Sequence, residues 1–371
     1  MTDKQSKNHD LDHSVEGRRS KAAVDRLRSL LKPERLATND ELAEMWSGYI
    51  PLERDGKLQK GFKHLVDSAS TSSTGKPDKR RILAIIGRSG AGKSTAIVKH
   101  VANTKEMHPY LDEDGVWVQP MLYMELPSPC SPTRLALDGI EALGHAYEGR
   151  VTRDAVWKEF ERLLKLHKVM FLILDEVQNA IENANTTEIS ILGNNFKMLT
   201  QRPDWPLRLI LAGVPPLGSF LARKQLYTRR TVVRFDTLDL DASANLATMR
   251  SVLETVVVKD SGLRVGFDVD DEFVQRLLHA NFSEFGSTVQ MIRNAVELAV
   301  RNKREVVELE DFVTVYASDS GAGRRINVFL AKNWRDLDPT AAALTDEDRA
   351  WEQERRRAKG KNATKYTVRP Q

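Results

Sequence analysis

Gly87-Arg88-Ser89-Gly90-Ala91-Gly92-Lys93-Ser94 is a complete G-x-x-x-x-G-K-[ST] phosphate-binding loop, and its flanks decide how the chain folds. The apolar run Ile82-Leu83-Ala84-Ile85-Ile86 enters it as a strand, and a helix-compatible stretch leaves it at Thr95. A strand, a glycine-rich turn and a helix N-terminus in that order aim backbone N–H groups and the positive end of a helix dipole at phosphate oxygens. Gly87, Arg88, Ser89, Gly90, Ala91, Gly92, Lys93, Ser94 and Thr95 therefore read as a nucleoside triphosphate site. Lys93 is placed to reach the β- and γ-phosphates, and the Ser94 hydroxyl to complete the coordination of Mg²⁺.

A second motif fits the first. Val169-Met170-Phe171-Leu172-Ile173-Leu174 is a continuous apolar run, as in a strand buried on both faces of a parallel sheet, and it ends in Asp175-Glu176. Asp175 can hold the Mg²⁺ through water, while Glu176 points elsewhere and can polarise a water for attack on the γ-phosphate. P-loop kinases usually need no such glutamate, so the pair argues for ATP hydrolysis in the manner of AAA+ and related ATPases.

The chain has 371 residues, 41% hydrophobic and 29% charged, which is enough for one large domain, a smaller one and polar extensions. Its apolar runs are too short to span a membrane, and the polar N-terminus lacks the core of a signal peptide, so a cytoplasmic location is expected. The single cysteine, Cys130, excludes an internal disulfide and a cysteine-based zinc site. The eight histidines show no metal-like spacing, and there is no Ser-His-Asp or Cys-His pattern. A net charge of +4 is too mild to establish nucleic-acid binding by itself. Its distribution says more: Arg355-Arg356-Arg357, Lys359, Lys361, Lys365 and Arg369 follow Glu354 with no acid among them, a footprint for phosphate backbone or acidic protein, or a solvated tail.

The pattern predicts an α/β P-loop ATPase of the AAA+ class, with a parallel-sheet core and a small C-terminal helical lid. Residues 1–50 read as a partly disordered extension, with disorder to about residue 22, a helix over Ala23–Leu36 and Asn39-Asp40 capping a helix from Glu41. The core spans 51–240: a helix near Gly56–Ala69, a linker from Ser70 to Asp78, and strands at Ile82–Ile86, Val116–Leu126, Val169–Leu174 and Leu207–Leu211. Helices are expected from Thr95 to Asn103, Thr133 to Tyr147 and Asp154 to Leu166. The lid occupies 241–318, with helices over Ala242–Val258, Asp270–Ala280, Thr288–Lys303 and Leu309–Ala317, and 319–371 is a basic tail.

The strand beginning at Leu207 ends in Ala212-Gly213-Val214-Pro215, without the polar residue that usually senses a γ-phosphate there. After it, Gln225, Arg229, Arg230 and Arg234 crowd a segment ending in Phe235. Arg229 and Arg230 are candidates to reach a neighbouring subunit's γ-phosphate; pairing with acids of their own subunit, or contact with DNA, is the alternative. In the lid, Arg293, with Gln290 as competitor, is positioned to fold back over nucleotide, or is an ordinary polar position on an amphipathic helix.

With these residues assembled, the chain resembles the TniB/TnsC family of AAA+ transposition regulators, related to the phage Mu B protein and the IstB helper ATPases. Four passages carry the resemblance: the P-loop, Phe171-Leu-Ile-Leu-Asp-Glu176, Gln225-Leu226 through Arg230 to Phe235, and Pro120-Met-Leu-Tyr-Met-Glu-Leu-Pro through Pro132-Thr133 to Leu143-Gly144. It covers about Leu52 to Ala317. It implies that ATP assembles subunits into a ring or filament on double-stranded DNA. The assembly presents a target to a DDE transposase and a TniQ-like target-selection protein, and slow, partner-stimulated hydrolysis dismantles it. The resemblance puts DNA past Thr133, Arg134, Arg150, Thr152 and Arg153, whose hydroxyls and guanidiniums suit phosphate oxygens without reading sequence. Thr133 and Thr152 read equally well as helix caps.

A replication-initiator-like or helicase-loader ATPase would share the core and the arginine segment. An initiator normally adds a winged-helix domain, for which little chain follows Ala317. A nucleotide kinase should lack Glu176, and a signalling ATPase switch should be indifferent to DNA.

Overall fold

The computed structural model describes residues 15–71, 79–202, 204–205 and 207–339. The linker expected after Ser70 falls mostly on 72–78, and the basic run from Arg355 lies beyond 339, so both are outside the described residues. The chain divides into two compact units. One runs to Glu41 and from Ser47 to Thr237; the other takes Leu42–Trp46 and continues from Leu238.

The first unit is built on a five-stranded parallel sheet: β1 (Ile82–Gly87), β4 (Met121–Glu125), β5 (Phe171–Asp175), β6 (Arg208–Gly213) and β7 (Arg230–Phe235), in the order β4-β5-β6-β1-β7. Burial follows position. β1, β5 and β6 are buried at every residue, whereas the edge strands β4 and β7 expose alternate positions along most of their length. This is the pattern required when helices cover both faces of a sheet. Side chains alternate between the faces. Leu83, Ile85, Ile173 and Ile210 pack with Leu58, Phe62, Ala96 and Ile97 of α3 (Glu53–Ser70) and α4 (Lys93–Ala102). Ile82, Ala84, Leu172 and Leu209 pack under α5 (Pro132–Ala142), α6 (Arg153–Leu166) and α7 (Thr186–Gln201).

Several expectations are corrected. The single helix expected over Ala23–Leu36 is two, α1 (Val15–Ser29) and α2 (Pro33–Trp46), so disorder does not extend to residue 22. Pro33 has no N–H to continue the first helix and suits the first turn of the second. Asn39-Asp40 lies inside α2, and Asp40 pairs with Arg28 at 2.8 Å instead of capping. The strand expected over Val116–Leu126 splits at Pro120 into β3 (Trp117–Val118), which pairs with β2 (Tyr110–Leu111), and β4. α5 stops at Ala142 rather than Tyr147, followed by Gly144 at φ 82°. Among the elements that escaped the sequence reading, α7 and β7 carry local signals. α7 is announced by Asn185, which accepts from the Glu188 N–H at 3.0 Å while the Glu188 carboxylate returns to the Asn185 N–H. β7 is announced by its β-branched run Thr231-Val232-Val233.

Below the phosphate loop, α3 is anchored on α4. Asp55 accepts from the Leu52 N–H at 2.7 Å and from Tyr49 Oη, and sits 3.3 Å from His100 Nε2. Burial pushes the Asp55 carboxyl up, but its His100, Tyr49 and Leu52 donors outweigh burial and hold it below the ordinary carboxylate range.

The second unit holds α10 (Ser243–Glu254) continuing as a π-helix (Thr255–Asp260), α11 (Asp271–Ala280), α12 (Phe285–Arg301) and α13 (Leu309–Ser320). It is not helical throughout: β8 (Arg264–Val265) pairs with β9 (Val306–Val307). The aromatics of Asn327–Trp334 are not exposed. Phe329 is 5% exposed against Phe273, Phe312 and Tyr316, Trp334 packs on His279, and fully buried Asn327 donates to Val313 O at 2.9 Å.

Phe329→Ala is therefore expected to destabilise the protein by about 3 kcal/mol in urea unfolding, the cost of emptying a buried aromatic site. An exposed aromatic would change stability by about 0.5 kcal/mol or less. Because the folded Asp55 carboxyl ionises below its unfolded value, its contribution is complete above about pH 4 and is lost as the pH falls through the lowered folded value. Asp55→Asn should lower stability at neutral pH and leave a smaller further loss on acidification, measured by thermal unfolding across pH.

Candidate nucleotide-binding site

β1 delivers the chain to the loop at Gly87, where a Cβ would lie 2.6 Å from both Cβ and O of Phe235 at the end of β7. Only glycine fits between these strand ends. Gly90 and Gly92 have φ of 80° and 89°, a left-handed backbone that glycine adopts without penalty, and Gly92 starts α4. Lys93 is buried and donates to Arg88 O at 2.9 Å, so the ammonium curls back over the loop.

The two sequence motifs meet here. Ser94 Oγ donates to Asp175 Oδ2 at 2.6 Å, Tyr123 Oη donates to the same oxygen at 3.0 Å, and Asp175 Oδ1 accepts from the Glu176 N–H at 2.8 Å. Burial raises the Tyr123 hydroxyl pKa, with Asp175 adding to it, so the phenol remains a donor. Glu176 adopts a left-handed conformation, φ 54° and ψ 37°, which turns its side chain away from that of Asp175. Gln178, in the 3₁₀ turn Val177–Ala180, donates to Glu176 Oε2. Its Oε1 accepts from the Val214 N–H at 3.2 Å.

A glycine cradle at the start of a ten-residue helix fits a triphosphate, and a hydroxyl beside a carboxylate fits Mg²⁺, which takes hard oxygen ligands and keeps several waters. No group of three or more His, Cys, Asp or Glu poised for a metal exists among the described residues. A Mg²⁺ that shares its ligands with phosphate and water asks for only one or two from the protein.

Three residues of this site escaped the sequence reading. Tyr123 stands on an edge strand, and Gln178 lies two residues after Glu176 in the turn Val177-Gln-Asn-Ala180. Arg54, in the first turn of α3, donates to Ala91 O at 2.7 Å and stacks 3.8 Å over Phe235, tying the helix to the loop. Arg54 carries no motif and was legible only through the fold.

Arg229 and Arg230 lie elsewhere. Register pairs Ile82 with Arg230 and Gly87 with Phe235, so these arginines sit at the edge of the sheet opposite the loop. Arg229 donates to Gln225 O at 3.0 Å and, with the Gln201 amide oxygen turned toward it, to that oxygen at 2.7 Å. Arg230 donates to Gly218 O at 3.4 Å and lies over the Tyr227 ring. Among the described residues neither makes a salt bridge, while Arg234 pairs with Asp236 at 2.9 Å. Arg293 belongs to the second unit, half-buried on α12; burial lowers its pKa and Asp260 raises it. Gln290 is exposed and donates to Asn294 at 2.8 Å.

The remaining candidates converge. Trp157 Nε1 in α6 donates to Pro132 O in the first turn of α5 at 2.9 Å, and His145 meets His167 at 2.7 Å beyond the other ends. α5 and α6 therefore run in the same direction with their N-termini side by side, bringing Thr133 and Arg134 to the same end as Thr152 and Arg153. Arg134, Arg150, Thr152 and Arg153 are exposed; Arg134 pairs with Asp138 and Arg153 with Asp154. The N-cap of α5 is Ser131, which accepts from the Arg134 N–H at 3.1 Å, so Thr133 is not the cap. Thr152 occupies the N-cap of α6 without a side-chain capping bond.

A P-loop on one strand, an Asp-Glu pair on another, and β6 between them in a parallel β4-β5-β6-β1-β7 sheet define the P-loop ATPase fold of the AAA+ class. Residues 76–221 match the family described as AAA domain. The fold is similar to the crystal structure of Cdc6p from Pyrobaculum aerophilum, at 15% identity over 73% of this chain and 69% of that one, with TM-score 0.50. It is also similar to the Aeropyrum pernix ORC1 protein in complex with DNA, at 18% identity over 76% of this chain and 69% of that one, with TM-score 0.52. No curated protein matches the sequence significantly. No helix among the described residues is long and apolar enough to cross a membrane.

Lys93→Ala is expected to weaken binding of a fluorescent ATP analogue at least tenfold, a loss of about 1.4 kcal/mol or more, with the melting temperature of the free protein nearly unchanged. Asp175→Asn should remove most of the Mg²⁺ dependence of the same titration.

Proposed function

We propose that this protein is an ATPase that assembles on duplex DNA as a ring or filament, and that it regulates transposition in the manner of the TniB/TnsC family. The observation that carries the oligomeric reading is the position of Arg229 and Arg230. Five residues of β7 separate Arg230 from the level of the loop, about 17 Å at 3.3 Å per residue, beyond the reach of an arginine side chain. Held by carbonyl, amide and ring rather than by carboxylates, these guanidiniums serve a γ-phosphate in a neighbouring subunit.

In the reaction, Lys93 and the loop N–H groups hold the phosphates, and Ser94 and Asp175 hold Mg²⁺, which supplies Lewis-acid charge when bound. Glu176 takes a proton from the water that attacks the γ-phosphorus as the bond to the ADP oxygen breaks. The neighbour's arginine offsets the charge that develops on the equatorial oxygens. The glycine at the tip of β6 leaves that strand without a polar side chain to help, which fits slow hydrolysis stimulated by partners.

DNA is assigned to the paired N-termini of α5 and α6. Two helix dipoles, the hydroxyls of Thr133 and Thr152 and the guanidinium of Arg150 contact phosphates and read no bases. Arg134 and Arg153 exchange their Asp138 and Asp154 partners for phosphate. The transposition role, with its DDE transposase and TniQ-like partner, is supported by the family resemblance of Pro120–Gly144 and the arginine segment. A replication-initiator or helicase-loader role is the second reading, favoured by the fold likeness to Cdc6p and to ORC1 in complex with DNA. Capture of a DDE transposase by the DNA-bound ATP form supports the first, and capture of a replicative helicase the second.

Mixing Lys93→Ala subunits with Arg229→Ala/Arg230→Ala subunits, each inactive alone, should restore ATPase activity, because one mixed interface unites an intact loop with intact arginines. No recovery at any ratio contradicts action between subunits. Thr152→Ala/Arg153→Ala should weaken binding equally for unrelated duplexes and lower the slope of log K against log salt by about 1 for each DNA phosphate that is no longer neutralised.

A further inference from the structure

The tip of β6 lacks a polar side chain of its own, yet a polar group is there. Gln178 is 7% exposed, and its Oε1 accepts from the Val214 N–H, one residue beyond β6, at 3.2 Å. Its Nε2 donates to Glu176 Oε2. Only this orientation of the amide satisfies both neighbours, since an N–H needs an acceptor and a carboxylate needs a donor. Gly213 is what makes room: a Cβ there would lie 2.7 Å from Gln178 Oε1. The turn carrying Gln178 is itself fixed, because Asn179 Nδ2 donates to Leu126 O at 2.8 Å and Asn179 O accepts from the Cys130 N–H at 3.1 Å.

We propose that Gln178 is a positioning residue for hydrolysis: it spans the gap between the tip of β6 and Glu176, and so supplies from the neighbouring turn the polar link that β6 lacks. The inference rests on Glu176 acting as the base in the ATPase reading above. One carboxylate oxygen of Glu176 takes the Gln178 N–H, which fixes the plane of the carboxylate and directs its other oxygen to the attacking water. Gly213 is then a functional glycine. Its hydrogen in place of a methyl lets the Gln178 amide lie against the β6 tip, and any side chain there would push that amide off Glu176.

Because the link orients a base and does not touch nucleotide, its loss should appear in kcat and not in nucleotide affinity. Gln178→Met keeps the length of the side chain and removes both hydrogen-bonding groups. It should lower the DNA-stimulated kcat about 10- to 100-fold, as loss of an orienting partner typically does, with KM for ATP and analogue binding within about twofold of wild type. Gly213→Ala should give the same split by displacing the amide while leaving Gln178 in place. Melting temperatures verify folding, and Glu176→Gln is measured alongside. If Glu176→Gln hydrolyses ATP as well as wild type, the ATPase reading fails, whatever Gln178 does. If Glu176→Gln is inactive but Gln178→Met and Gly213→Ala both keep wild-type kcat, or if either hydrolyses faster, the positioning role is overturned. A matched loss in KM and kcat would also overturn it, because it would mean that the residue shapes the binding site as a whole.

Discussion

The parallel register of β1, β6 and β5 is the constraint on which the site depends. Ile86 of β1 pairs with Gly213, and Leu174 of β5 pairs with Leu211, so three adjacent strands end at one edge within a residue or two of each other. That edge receives the phosphate loop from β1, the Asp175-Glu176 pair from β5 and, from β6, a glycine that leaves space. A single hydrogen bond, Ser94 to Asp175 at 2.6 Å, closes the gap across β6 between residues 81 apart in sequence. Shifting β5 by one residue would turn Asp175 to the opposite face and separate it from Ser94, because side chains alternate.

The sheet has two chemically distinct ends. At the C-terminal ends of the strands lie the loop, the carboxylates and the Gln178 link. At the opposite end lie Arg229 and Arg230, cationic and held by neutral acceptors. In the proposed assembly the phosphate-binding groups on one edge of a copy meet the guanidiniums on the opposite edge of the next. Head-to-tail contacts of that kind generate rings when the rotation closes and helical filaments when it does not. The paired N-termini of α5 and α6 are the surface to which the proposed reading assigns DNA.

What was legible in the sequence was local or strongly patterned. The phosphate loop and the run into Asp175 are contiguous motifs with flanking strands, and their meeting follows from the fold class. The same holds for the main helices of the second unit, whose apolar periodicity is strong. Where the reading failed, a competing local signal went unweighed: Pro33 and Pro120 each ended an element that hydrophobicity alone would have continued, and the Asn185/Glu188 capping box that starts α7 went unused. β7 was read for its arginines rather than for Thr231-Val232-Val233. The burial of the aromatics near Trp334 against Phe273 and Phe312 is a long-range fact without local signature. Gln178, Tyr123 and Arg54 belong to the same category, since each acquires its role from a partner that only the tertiary structure supplies.

The most direct test of the central claim is electron microscopy with sedimentation of the full chain on duplex DNA in Mg²⁺ with ATP, a non-hydrolysable analogue or ADP. The account predicts regular rings or filaments that require both duplex and triphosphate, persist with the analogue, disperse as ATP is consumed, and are absent for Lys93→Ala. A protein that sediments as a monomer in every condition would contradict it.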